Sequence, residues 1–223
     1  AFEDFRAGAL ALLPVCELFS NAEAGCDLLA AVLAGMRCES LREAETGFRA
    51  VVEIRSTAPE IEETLTTLAG AAVTRKKWKN GRIKRLAVLD WRTRPGGLPH
   101  RIQDFSRLKI KVKKHPTLRI PVPYIDTVAL VMGADSAQLR EAAPYLENAA
   151  VLLLNCGSND WGGRRLRTSE LAEYDPAVVK GLEEERYSVA ALLCAWWAAE
   201  EDEVTWARQI VAEAKASFGK PDS

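Results

Sequence analysis

The chain has 223 residues, 48% of them hydrophobic and 27% charged, with a formal net charge of −1. This is an ordinary globular composition, with enough apolar side chains to bury a core in one large domain or two small ones. The five cysteines, at 16, 26, 38, 156 and 194, are odd in number and lack the close pairs of zinc ribbons or redox motifs, which fits free buried thiols in a reducing cytoplasm.

In chain order, the apolar run from Ala7 to Val15 has Glu3 and Asp4 where a signal peptide has its basic start, and Pro14 interrupts it. Cys26 to Ala34 reads as a helix with Leu29, Val32 and Leu33 on one face, ended by Gly35. Phe48 to Ile54 is a strand, and Thr57 with Glu60 three residues later has capping-box spacing for a helix reaching Leu68. Asn80-Gly81 supplies the positive φ angles of a tight hairpin, joining basic strands from Val73 to Trp78 and from Arg82 to Asp90. Pro95 to Pro99 is a loop. Leu108 to Lys113 then alternates apolar and basic residues, as a half-buried strand with a lysine face does. Pro116, Pro121 and Pro123 exclude regular pairing before the apolar strand Thr127 to Met132. Asp135 or Ser136 caps a helix to Glu147, and Ala150 to Leu154 is the next apolar strand, which together make a unit of right-handed crossover length in a parallel sheet. Residues 157 to 163 form a loop at that strand's carboxyl end. The tail reads as two helices, one through Trp196 and Trp197 and one from Val204 to Ala216. The longest late apolar run, Val189 to Ala199, falls well short of the roughly 20 residues that cross a bilayer.

The expected fold is therefore α/β: a mixed sheet with a parallel βαβ unit, a central basic β-hairpin and helices at both termini. It forms one domain over 1–223, with an N-terminal helical segment (1–47), a sheet-forming core (48–160) and a C-terminal helical segment (161–223). The expected setting is cytoplasmic, with no membrane partner. A chain that begins at Ala1 without methionine fits a piece of something longer.

The strongest functional signal is the distribution of charge. Between Arg75 and Arg119, 45 residues carry sixteen Lys or Arg against Asp90 and Asp104 alone, a formal charge of +14, so the remainder of the chain carries −15. A field of one sign on one surface attracts polyanions, and phosphate neutralisation dominates sequence-independent nucleic-acid affinity. The candidate contacts are Arg75, Lys76, Lys77, Lys79, Arg82, Lys84, Lys109, Lys111 and Lys113, with Trp78 as a base-stacking platform and Trp91 and Phe105 interleaved. The expected function is a non-catalytic, phosphate-backbone-binding domain of a DNA-processing or mobile-element protein, with nucleic acid or another polyanion as partner. The same belt has a competing use. Glutamates at 39 to 63 and 183 to 203 could pair with it within the fold or across a homo-oligomer interface, making a charge-driven self-association module.

Signals of catalysis are sparse. No phosphate-binding loop, dinucleotide fingerprint or His-Glu-x-x-His occurs, and the two histidines, His100 and His115, fall in proline-containing stretches. Glu53 in Val-Val-Glu-Ile-Arg and Asp90 in Leu-Ala-Val-Leu-Asp-Trp-Arg stand in strand contexts. Paired carboxylates beside a cation are what metal-assisted phosphodiester cleavage requires. The pattern loosely resembles a nuclease core of the restriction-endonuclease type, although Arg55 and Arg92 stand where that family has lysine. Leu152-Leu153-Leu154-Asn155 followed by Asp160-Trp161-Gly162-Gly163-Arg164-Arg165-Leu166-Arg167 resembles the end of the ATPase core in helicases of viruses and mobile elements. That resemblance spans about sixteen residues and implies Asn155 as a γ-phosphate sensor with Arg164 or Arg165 as an arginine finger. The family's phosphate loop is missing, and Asp90 is followed by Trp91, not by a second acid. No cofactor is expected, except Mg²⁺ if one of these phosphoryl-transfer alternatives holds.

Overall fold

The computed structural model describes residues 2–17, 22–72, 88–92, 125–158, 168–170, 176–198 and 203–218. Helix α1 (Phe2–Leu12) runs into a 3-10 turn (Leu13–Glu17), followed by α2 (Ala22–Gly35) and α3 (Cys38–Ala44). Then come β1 (Val51–Arg55), α4 (Pro59–Ala72), β2 (Val88–Asp90), β3 (Ile125–Met132), α5 (Ser136–Ala142) and β4 (Asn148–Leu154). A short β5 (Thr168–Glu170) precedes α6 (Pro176–Glu184), α7 (Arg186–Ala198) and α8 (Glu203–Phe218).

Four strands lie in the order β1-β4-β3-β2, with β5 beside β1, and every described pair is parallel. The composition of the two central strands explains their position. A strand buried on both faces reads as an unbroken apolar run, and Ala149 through Leu154 are all buried. Alternate residues go to opposite layers. Ala150, Leu152 and Leu154 join Val52, Ile54, Val128 and Leu130 in one core, roofed by α2, by Ile61, Leu65 and Leu68 of α4, and by Val178, Leu182, Val189 and Leu193 of α6 and α7. Val151 and Leu153 join Ala129 and Val131 in the other, covered by Leu139 and Ala142 of α5, by Leu146 and by Trp91.

The placement of the two covering layers follows from handedness. From β1 to β2 the chain travels past β4 and β3 with α4 on one face, and from β3 to β4 it steps back with α5 on the other. Because parallel crossovers keep one hand, reversing the direction of travel must switch the face on which the helix packs.

Local details differ from the sequence reading for identifiable reasons. The helix after β1 starts at Pro59, not at a Thr57 cap: the Ala58 N–H donates to Ser56 Oγ (3.1 Å), and proline suits a first turn whose N–H would be orphaned. Asp135 does cap α5. Its Oδ1 accepts from the N–H groups of Ala137 and Gln138 (2.9 and 2.8 Å), while Gln138 Oε1 accepts from Asp135 N–H (2.9 Å). The α-helix ends at Ala142 and not at Glu147, because Pro144 has no N–H to donate and the chain tightens into a 3-10 turn over Ala143–Tyr145.

The expected mixed sheet is not what the described residues form. Val88–Asp90, assigned from the sequence to an antiparallel hairpin, pairs parallel with Leu130–Met132. The rest of that hairpin, and the lysine strand 108–113, lie outside the described residues. β5 falls in the segment expected to be helical. Among the described residues no helix is long and apolar enough to cross a membrane.

Leu152 is fully buried at the middle of the sheet. Leu152→Ala is expected to lower unfolding free energy by about 3 kcal/mol, read from the urea midpoint at unchanged slope.

Candidate functional site at the carboxyl edge of the sheet

In open parallel sheets, ligands bind beyond the carboxyl ends of the strands, where successive connections part to opposite faces. Here the connections leaving β1 and β3 part in that way, and β4 lies between them. The residues at this edge are Arg55-Ser56, Asn155, Gly133 and Asp90 with Arg92.

Asn155 closes the crevice between β1 and β4. The regular ladder ends at Ile54 beside Leu154, and the Asn155 N–H still donates to Ile54 O (3.0 Å). The backbone then turns left-handed, with φ of 51°, a conformation that asparagine tolerates better than most residues. That turn points the side-chain amide back at β1. Its Oδ1 accepts from Ser56 N–H (3.0 Å) and its Nδ2 donates to Ser56 O (2.6 Å), so the side chain imitates one more peptide of the ladder.

This arrangement bears on phosphate chemistry. A loop that cradles phosphate needs several backbone N–H groups free to point at the anion. The connection from β1 to α4 has only Ser56, Thr57 and Ala58, without glycine. The Ser56 N–H is held by Asn155 and the Ala58 N–H by Ser56 Oγ. Both ends of the Asn155 amide are likewise occupied by Ser56.

At the other end of the edge, Asp90 and Glu62 of α4 are held by one guanidinium. Arg92 Nε donates to Asp90 Oδ1 and Nη2 to Asp90 Oδ2 (both 2.9 Å), while Nη1 and Nη2 donate to Glu62 Oε2 and Oε1 (2.7 and 2.8 Å). The hydrogen bonds to Glu62 and then to Asp90 raise the Arg92 pKa further above its ordinary value. Gly133 makes the room. A Cβ there would lie 2.4 Å from Arg92 Cγ, and its φ of 64° is itself a glycine conformation. The cation therefore occupies the place beside Asp90 that a metal would need.

Glu53 lies elsewhere, on β1 between Leu153 of β4 and Thr168 of β5. Three strand spacings separate β1 from β2, so Glu53 and Asp90 sit about 14 Å apart and cannot share one ion. Among the described residues no group of three His, Cys, Asp or Glu could hold a metal. Cys156 is buried, with Sγ 3.4 Å from Val131 O and 3.5 Å from Leu154 O. Burial pushes its thiol pKa up, which suits a packed thiol better than a nucleophile.

Arg75, Lys76, Lys77, Trp78, Lys79, Arg82, Lys84, Lys109, Lys111, Lys113, Arg164 and Arg165 lie outside the described residues. The points from which the belt departs are described. One basic segment connects the end of α4 to Val88, the other connects Arg92 to Ile125, and β2 between them is at the edge of the sheet that the described residues form. Of the belt's aromatics, Trp91 is buried in the core layer that holds Val131 and Leu153, so it is a core residue and not a stacking platform. Sequence spacing gave no sign of Glu62 as partner of Arg92, because only the crossover from β1 to β2 brings α4 over that edge.

Comparison with protein-family models, characterised proteins and solved structures gives no match to this chain.

Asn155→Asp keeps the acceptor for Ser56 N–H but sets an oxygen against Ser56 O. It is expected to cost about 1 kcal/mol in urea unfolding, with Asn155→Ala, which loses both hydrogen bonds and puts alanine in the left-handed region, costing at least as much.

Proposed function

We propose that this chain is a non-catalytic nucleic-acid-binding domain, of a DNA-processing or mobile-element protein, that grips the phosphate backbone through its basic belt. The observation that carries the reading is the formal charge of +14 between Arg75 and Arg119, in two segments that flank β2 in sequence, the last strand on its side of the described sheet. In the proposed arrangement a hairpin about Asn80-Gly81 and the 108–113 strand present lysines together beside β2.

Two features of the described core support this reading. First, Arg92 and Asp90 pair with each other, which leaves fifteen belt cations against Asp104. Second, several acids of the core have partners outside the belt: Glu147 pairs with Arg42 and Arg49, Glu45 with Lys215, and Glu184 with Lys180. Of the Glu-rich segments, Glu62 is engaged by the belt cation Arg92.

A second reading, a degenerate helicase-type ATPase, draws on Asn155, which ends the middle strand of the five as that resemblance implies. The three-residue β1–α4 connection and the occupied Asn155 amide weigh against nucleotide binding. The purified chain is expected to show no Mg²⁺-dependent ATP hydrolysis or DNA cleavage. Turnover that disappears with Asn155→Ala would favour the second reading.

Fluorescence anisotropy with a labelled oligonucleotide tests the first. If about six phosphates are neutralised, affinity should fall roughly a thousandfold between about 50 and about 200 mM salt. Reversing Lys77, Lys79, Lys109 and Lys111 to Glu together should abolish binding at low salt while leaving Tm within a few degrees. Unchanged affinity in that variant, or no binding by the parent chain at low salt, would overturn the proposal.

A further inference from the structure

Two cysteines that are ten positions apart in sequence meet in the fold. The 3-10 turn Leu13–Glu17 packs against the start of α2, and the contact is made by the backbone of Cys16 itself. A Cβ on Gly25 would lie 2.2 Å from Cys16 O and 2.5 Å from Cys16 Cα, so this approach is open only to glycine. The residue after Gly25 is Cys26, and the thiols of Cys16 and Cys26 are close enough for each to act on the other. The Cα separation implied by contact through Gly25 is at most about 8 Å, a bound that includes the roughly 4.4–6.8 Å span of disulfides. Cys26 is exposed and Cys16 half-buried, whereas Cys38 and Cys156 are enclosed in the core.

We propose that Cys16 and Cys26 are a modification site, a dithiol that closes to an intramolecular disulfide by exchange with small-molecule disulfides. In the first step the exposed Cys26 thiolate attacks one sulfur of the small disulfide. A Cys26 mixed disulfide forms and one small thiol leaves. In the second, the Cys16 thiolate attacks the Cys26 sulfur, the Cys16–Cys26 bond forms and a second small thiol leaves. Two electrons pass from the two cysteines to the small disulfide, and the two cysteine protons are matched by those taken up by the departing thiolates.

The surroundings favour this order. Burial first, then the hydrogen bond to Cys26 and the charges of Cys26 and Glu17, push the Cys16 thiol up from 9.0 to about 11. Cys16 is therefore the slower attacker. Once Cys26 carries an adduct it is no longer a charged neighbour, so part of that push is relieved for the closing step.

The test uses the full chain, reduced, desalted and then incubated with oxidised glutathione. Peptide mapping by mass spectrometry is expected to find the Cys16 and Cys26 peptides joined, with a net loss of two hydrogens and no retained glutathione. Cys16→Ser should instead hold glutathione on Cys26, which cannot be resolved. Closing the short loop should raise Tm by roughly 5 °C relative to the reduced chain. Recovery of both thiols free after prolonged oxidation, stable glutathione adducts on both in the parent chain, or Cys16 joined to a different cysteine would overturn the proposal. The mapping of the parent chain decides the matter even if the serine variant fails to fold.

Discussion

The pairing of β3 with β4 is the constraint on which the remaining structure depends. Their residues from Val128 to Met132 and from Ala150 to Leu154 run in register and are buried on both sides, so each side chain must find its partner in one layer or the other. A one-residue slip would exchange the layers and place every helix against the wrong set of side chains. α5 can be short because Asp135 fixes its first turn and Pro144 its last. The longer helices on the opposite face answer a wider apolar surface, formed by alternate residues of β1, β3 and β4.

From that centre outward the strands become shorter and their ends more polar. β1 ends in Arg55 and Ser56, β4 in Asn155, and β2 in Asp90 followed by Arg92. In many parallel sheets such an edge is left open for a ligand. Here side chains of the protein occupy two of the places where an anion or a cation would be held. An amide fills the crevice beside β1, and a guanidinium sits between two carboxylates beside β2. The chemistry described at this edge is therefore satisfied internally, and the excess positive charge of the sequence, +14 between Arg75 and Arg119, flanks β2 on either side along the chain.

Much of the fold was legible because its strands are apolar runs and Asp135 marks the start of α5 with a polar cap. Thr127 to Met132, the Asp135 cap and Ala150 to Leu154 could be read as a parallel crossover, and Phe48 to Ile54 as a strand followed by a helix. Strand direction at the edge was not legible, since Val88 to Asp90 are too few to show which neighbour they choose and the Asn-Gly signal favours a local hairpin. The site was harder. Glu53 and Asp90 look alike in sequence, each an acid within an apolar strand, but the crossover that carries the chain from β1 to the far edge separates them by two intervening strands. Trp91 looked like one of several aromatics among cations and is in fact part of the core, because its N–H extends the β2–β3 ladder to Met132 O and its side chain joins the layer beneath α5. The contact of Cys16 with Cys26 was invisible for a similar reason: spacing predicts thiol pairs only when the backbone between them is short or standard.

The junction at Arg92 has a mechanical consequence. It is the second residue after β2 and the last described before the longer basic segment, and it is fastened both to the strand through Asp90 and to α4 through Glu62. The shorter basic segment begins at the far end of the same helix. Tension applied to either segment would thus be delivered to α4, a rigid rod seated on the buried sheet, and not to the three-residue strand alone. A weakly held rim is in this way anchored to the stiffest layer of the molecule.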